Sequence, residues 1–189
     1  MATTSRTIVR QGIASYFGGV WVDNVKAYQG GPLTDYGVVD VKRSWGKRID
    51  WKSMFNRLNP GRGMGAFMVV SLNTDKEVRE AIAGAPVLDS NGNIIAGGVK
   101  MLTYQCTLEV FHLAQAAYAE DAQDDIDLLI EAIKNLVRVD RTLGGICTDA
   151  GETSFGIRVK EDHPGVNRAT ERTSVHFTVQ FEVRTQFIA

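Results

Sequence analysis

The chain has no run of about 18 apolar residues, the length that a membrane-crossing helix needs. Its opening, MATTSRTIVRQG, also lacks the apolar centre of a secretory signal. The expectation is a protein that stays in the cytoplasm where it is made and has no membrane partner. Net charge is nearly missing too. Against 22 Asp and Glu stand 21 Lys and Arg, a formal charge of -1, so bulk charge calls for no particular partner. Cysteine is scarce: Cys106 and Cys147 make neither a disulfide framework nor a metal set, and both sit where a small buried apolar side chain serves. His112, His163 and His176 are far apart, and none has a second His, Cys or carboxylate at metal-binding spacing. Asp162-His163-Pro164 lies in a polar stretch, and His176 falls on the polar side of a strand pattern. The G-x-S-x-G nucleophile signature is absent. With no nucleophile, metal set or cofactor loop on view, the reading is of a protein that is not an enzyme and takes no cofactor.

What is present suits one globular domain spanning residues 1–189. At 44% hydrophobic and 23% charged, the chain can build one substantial core and is short for two. The apolar residues Ile8, Val9, Ile13, Ala14 and Phe17 recur at helical spacing behind Thr3, Thr4 and Ser5, which can cap the first turn. Gly18-Gly19 ends that helix. Two β-branched and aromatic runs follow, Val20 to Tyr28 and Tyr36 to Val41, parted by Gly30-Gly31-Pro32, and they read as strands around a turn. Gly65 to Leu72 is a continuous apolar run suited to a buried strand. After it, TDKEVREAIAG places Thr74 three residues before Glu77 as a capping box does, which predicts a short helix. Asp89-Ser90-Asn91-Gly92-Asn93 is turn chemistry, so residues 86–100 read as a β-hairpin excursion.

The second half carries the clearer periodicities. Leu102, Tyr104, Cys106, Leu108 and Val110 alternate with Thr103, Gln105, Thr107 and Glu109, as a half-buried strand does. From Glu120 to Arg138, Ile126, Leu129, Ile130, Ile133, Leu136 and Val137 form one helical stripe, with acids at the start and Lys134 and Arg138 near the end. Phe155, Ile157 and Val159 alternate next, KEDHPGVNRAT reads as a polar loop, and Val175, Phe177, Val179, Phe181 and Val183 line one side of a last long strand. Amphipathic strands need one covered face. The predicted fold is therefore α+β, a mostly antiparallel β-sheet with helices packed on one face, plus long loop and hairpin excursions.

Two segments pose functional questions. In VDRTLGGICTDAG, Leu143, Gly144 and Gly145 could be taken for a phosphate cradle. Such a cradle needs backbone amides that lead into the next helix, followed by a Lys-Ser or Lys-Thr pair. Here the glycines follow a helix and lead to a strand, so they read as a structural turn with Leu143 folded back as an apolar plug. The second segment, residues 41–65, is a long basic and aromatic loop. It interleaves Arg43, Lys47, Arg48, Lys52 and Arg57 with Trp45, Trp51 and Phe55. Such a strip can contact a phosphate backbone and stack on bases, which makes a nucleic-acid-binding module one reading. Equally, its aromatic residues can anchor a surface excursion to the body or to a neighbour. Repeated around a ring, the strip would become a basic collar about a channel.

The helix ending in LVRVDRTLGGICTDAG, the short SFGIRV strand and the closing TSVHFTVQFEVRTQF strand together resemble the tail terminator proteins of long-tailed bacteriophages. The resemblance covers residues 123–187, and residues 4–17 fit that family's opening helix. It implies an α+β subunit forming a homohexameric ring in the virion, at the junction of tail and neck. That ring caps the tail tube protein, meets the head-neck connector or stopper protein, and lets DNA pass through its lumen with only non-specific contact. Another neck protein, such as the head-tail stopper itself, shares this habitat.

Overall fold

The computed structural model describes residues 6–44, 65–79, 87–88, 90–91, 94–96, 99–113, 119–151, 157–167 and 172–188. Helix α1, Arg6–Gly18, buries Val9, Ile13, Ala14 and Phe17 along one stripe, and Arg6 near its start donates to the Leu72 carbonyl. It stops where Gly19 takes a φ of +83°, an angle that costs a glycine little. Strands β1, Gly19–Val22, and β2, Ala27–Gly30, then pair antiparallel as a tight hairpin. The run from Val20 to Tyr28 is thus two strands rather than the single one expected. Asp23 and Asn24 supply turn chemistry at its centre, Lys26 adopts a φ of +53°, and the Trp21 Nε1 donates to Asp23 at 2.8 Å.

A short 3-10 turn, Thr34–Tyr36, leads into β3, Val38–Lys42. Strand β3 pairs parallel with β4, Gly65–Arg79, and the other ladders are antiparallel. Strand β4 also corrects the expected helix at TDKEVREAIAG. Residues 74–79 continue the strand, and after a register shift between Asn73 and Asp75 they pair with β7, from Asp75↔Tyr104 to Arg79↔Lys100. A capping box is a local preference, and pairing with a long partner strand overrides it. The rest of that segment, residues 80–84, lies outside the described residues.

Strands β5, Val87–Leu88, and β6, Ile94–Ala96, form the expected hairpin. Strand β7, Val99–Leu113, is followed by helix α2, Ala119–Val139, whose Ile126, Leu129, Ile130, Ile133 and Val137 are buried. Strand β8, Asp149–Gly151, pairs with β10, Arg172–Ile188, and so does β9, Arg158–Asn167. Strand β9 is the third correction, because KEDHPGVN is strand rather than loop. Pro164, which has no amide to donate, is accommodated because β9 pairs on one side with β10 and because a register shift sets its neighbourhood opposite Val175. Phe155 lies outside the described residues.

Among the described residues the main sheet has eight strands in the order β1-β2-β3-β4-β7-β10-β8, with β9 also on β10. Both helices pack on one face. There Val9, Ile13 and Phe17 of α1 and the α2 stripe meet Met68, Val70, Cys106, Leu108, Phe177, Val179 and Phe181. Both cysteines are free and buried, as their sequence context suggested. The fold is α+β with a mixed, mostly antiparallel sheet. The three longest strands are β4 and β7 of 15 residues each and β10 of 17, or about 50 to 56 Å at roughly 3.3 Å per residue. Their pairing continues past Leu72, Tyr104 and Val183 to Arg79↔Lys100 and Ile188↔Val99, and beyond those residues Leu102 still packs against the core and Thr185 is buried. The three strands thus form one continuously paired long ribbon.

Candidate interaction surface

The turn after α2 is built around one carboxylate. Leu143, Gly144 and Gly145 have φ of +49°, +73° and +81° in succession, a curl that turns neighbouring amides the same way. Asp140 occupies it. Its Oδ1 accepts from the Thr142 amide at 3.0 Å and the Thr142 hydroxyl at 2.7 Å, and its Oδ2 accepts from the Gly144 amide at 2.7 Å. The Gly145 amide goes to the Thr142 hydroxyl at 3.2 Å. Hydrogen bonds from the Thr142 side chain and then the Gly144 amide hold the Asp140 carboxyl below its ordinary range. The chain's own anion thus takes the amides that a phosphate would seek. Leu143 pays for its left-handed backbone by full burial against the core. Around it, Tyr16 donates to the Leu136 carbonyl at 3.1 Å, and Arg141 pairs with Asp149 at 2.7 Å. Burial, with Asp149 and Asp140 nearby, pushes the Cys147 thiol up to about 11.

Of the basic and aromatic strip, the structure describes Arg43 alone. It is half-buried, with its guanidinium carbon 4.6 Å from the centre of the Trp21 ring, which is cation–π geometry. Trp45, Lys47, Arg48, Trp51, Lys52 and Arg57 lie outside the described residues.

The sheet face opposite the helices is not uniformly polar. Phe67 of β4, Phe111 of β7 and His176 of β10 are in register, and their rings form a ladder across three strands. Phe67 and Phe111 are 4.9 Å apart at 18°, and Phe111 and His176 are 4.3 Å apart at 13°. The Nε2 of His176 lies 3.8 Å from a Glu109 oxygen. Further along the same face the contacts are polar: Asn73 donates to the Thr107 hydroxyl at 3.2 Å, and Gln105 donates to Gln180 at 3.5 Å. The sequence showed the Thr and Gln positions but missed the ladder, because cross-strand register cannot be read from one strand at a time.

A second feature escaped the sequence reading. Between the 3-10 turn, the start of β4, the end of β7 and α2 lies a cavity of about 430 Å³, lined by Asp35, Tyr36, His112, Leu113, Asp125 and Leu128 among others. His112 is 6% exposed, and its Nδ1 has no hydrogen-bond partner among the described residues. The available signal was the break in alternation at Phe111-His112-Leu113, where bulky residues fall on both faces of β7. Burial pushes the His112 pKa below its ordinary 6.5, and the nearby Asp125 charge pulls the other way.

The sign of the resulting pH dependence follows from linkage. With its folded pKa depressed, His112 leaves stability intact above about pH 6.5, where both states are neutral. As pH falls below that value the unfolded chain takes up the proton first, and stability declines until the folded pKa is reached. Urea midpoints from about pH 7.5 to pH 5.5 should therefore drop more steeply for the natural chain than for His112→Gln. Equal slopes would show that the imidazole is not held neutral by its burial.

Neither a scan against protein-family models nor a search of curated proteins finds a match for the chain. Among the described residues no group of three or more His, Cys, Asp or Glu is placed to hold a metal ion, and no helix is long and apolar enough to cross a membrane.

Proposed function

We propose that the chain is a structural ring subunit of a long-tailed bacteriophage virion. As a tail terminator it forms a homohexamer, caps the finished tail tube and joins the tail to the head-neck connector. The observation that carries this reading is the ribbon of β4, β7 and β10, which stays paired from Gly65↔Leu113 to Arg79↔Lys100 and to Ile188↔Val99. Long paired strands of this kind can offer backbone edges and side chains to a neighbour. The sequence pattern from residue 123 to residue 187 points the same way, and the turn at Leu143, Gly144 and Gly145 serves this role as a joint between helix and sheet. Assembly takes place in the host cytoplasm, and DNA crosses the lumen with non-specific contact only.

The functional test is control of length. Added to tail tube protein that is polymerising in vitro, the chain should stop growth, and tube lengths should freeze at the moment of addition. Tubes that keep lengthening in its presence would refute a terminating role. A nucleic-acid-binding module is the second reading, with Arg43 as its described member. It predicts DNA binding that weakens steeply with salt, and absence of binding at low salt would dismiss it.

A further inference from the structure

We propose that the cavity between the 3-10 turn at Thr34–Tyr36 and helix α2 is a receptor site for an arginine side chain presented by a peptide segment of a partner protein. Four observations converge on it. Among the described residues the charged side chains lining it are Asp35 and Asp125, both acids, and neither is within ion-pair distance of a described cation. They come from different elements, so chain sequence alone does not cluster them.

His112 is the second observation, a histidine more than nine-tenths buried that lines the same cavity and lacks a partner at Nδ1 among the described residues. Held neutral by its burial, the imidazole offers an acceptor nitrogen rather than a competing charge. The third observation is the apolar lining. Among the described residues Leu128 at 61% and Tyr36 at 44% are two of the exposed large hydrophobic side chains, and both line this one cavity, with Leu113 beside them. Size is the fourth: about 430 Å³ admits a whole long side chain and part of its backbone.

A guanidinium on a three-carbon stem matches this arrangement. The planar head supplies five donors for the acceptors that line the cavity, two carboxylates, an imidazole and the Thr34 hydroxyl, and the apolar stem suits Tyr36, Leu113 and Leu128. A lone metal ion would leave the apolar lining without a role, and an anion would meet two carboxylates. Apolar residues flanking the arginine would cover Leu128 and Tyr36, which is why the source is a peptide rather than a free small guanidine.

The test uses the full chain and three probes, followed by the NMR signals of the His112 ring and the Leu128 methyl groups. The probes are a capped Ala-Leu-Arg-Leu-Ala peptide, the same peptide with neutral citrulline in place of arginine, and agmatine. Saturable shifts with the arginine peptide, binding about tenfold weaker with citrulline, and weaker binding by agmatine would support the proposal. Asp125→Asn should weaken the arginine peptide by about tenfold, and Asp35→Asn should weaken it in the same direction. Both residues are exposed, so neither substitution threatens folding, and unchanged circular dichroism verifies this. Any of four results would overturn the proposal: no saturable shift, equal binding of the citrulline peptide, tighter binding of agmatine, or an Asp125→Asn chain that binds as the natural one does.

Discussion

Alanine at Phe181 is expected to lower the unfolding free energy by about 4 kcal/mol, the range for removing a fully buried aromatic ring. Phe181 is 1% exposed, in the middle of β10, and its ring meets that of Phe17 edge-on at 6.5 Å and 62°. The contact ties the last strand of the chain to its first helix, across a sheet whose intervening strands β4 and β7 supply Met68, Val70, Cys106 and Leu108 to the same cluster. Truncation leaves a void that long, paired strands cannot close, because their register fixes the backbone on both sides of it. Denaturant melts of Phe181→Ala beside Phe181→Leu measure the effect. Leucine keeps most of the volume and should recover more than half of the loss. A cost for alanine below about 1 kcal/mol would mean that β10 is not packed as described.

The second large effect is expected at Gly31. A Cβ built there falls 2.3 Å from the Phe17 carbonyl oxygen, 2.6 Å from the Gly18 carbonyl carbon and 2.7 Å from the Gly19 nitrogen. All three atoms are backbone, so no rotamer change relieves the clash. Either the end of α1 or the β1–β2 hairpin must shift, and Gly31→Ala should cost about 3 kcal/mol, the upper part of the overpacking range. Its neighbour Gly30 is the internal control. It has a φ of +75° but no heavy atom within 4 Å of a built Cβ, so Gly30→Ala should cost only about 1 kcal/mol, from backbone preference alone. Comparable costs at the two positions would show that α1 does not close onto the hairpin.

Much of the fold was legible because its signals are periodic and internal to one element. The α2 stripe and the alternation of β10 from Val175 to Val183 need no partner to be recognised. Elements that depend on a partner were harder. Residues 74–79 carry the local pattern of a helix start and become strand because β7 continues beside them. In KEDHPGVN, Pro164 argues against a central strand, and it is tolerated where β9 pairs on one side with β10. The Val20 to Tyr28 run hides a reversal whose decisive residue, Lys26, is not a usual left-handed residue.

The sites divide along the same line. The turn at Leu143, Gly144 and Gly145 could be read in order, helix first and strand after, but the role of Asp140 in filling it needed three-dimensional geometry. The Phe67-Phe111-His176 ladder and the cavity around His112 each gather residues from three or more segments, and no spacing rule connects those. At the start of the strip from Arg43 to Arg57, Arg43 is seated on the Trp21 ring.

On the proposed function, this polypeptide is expected to work as one copy in a closed ring on the end of a tail tube. Averaged electron micrographs of tube ends incubated with the pure chain test it most directly. The expected image is a closed ring of six copies seated on the tube end, each copy contributing the 20.7 kDa of one chain. Bare tube ends, with the chain recovered as solitary 20.7 kDa molecules, would contradict it.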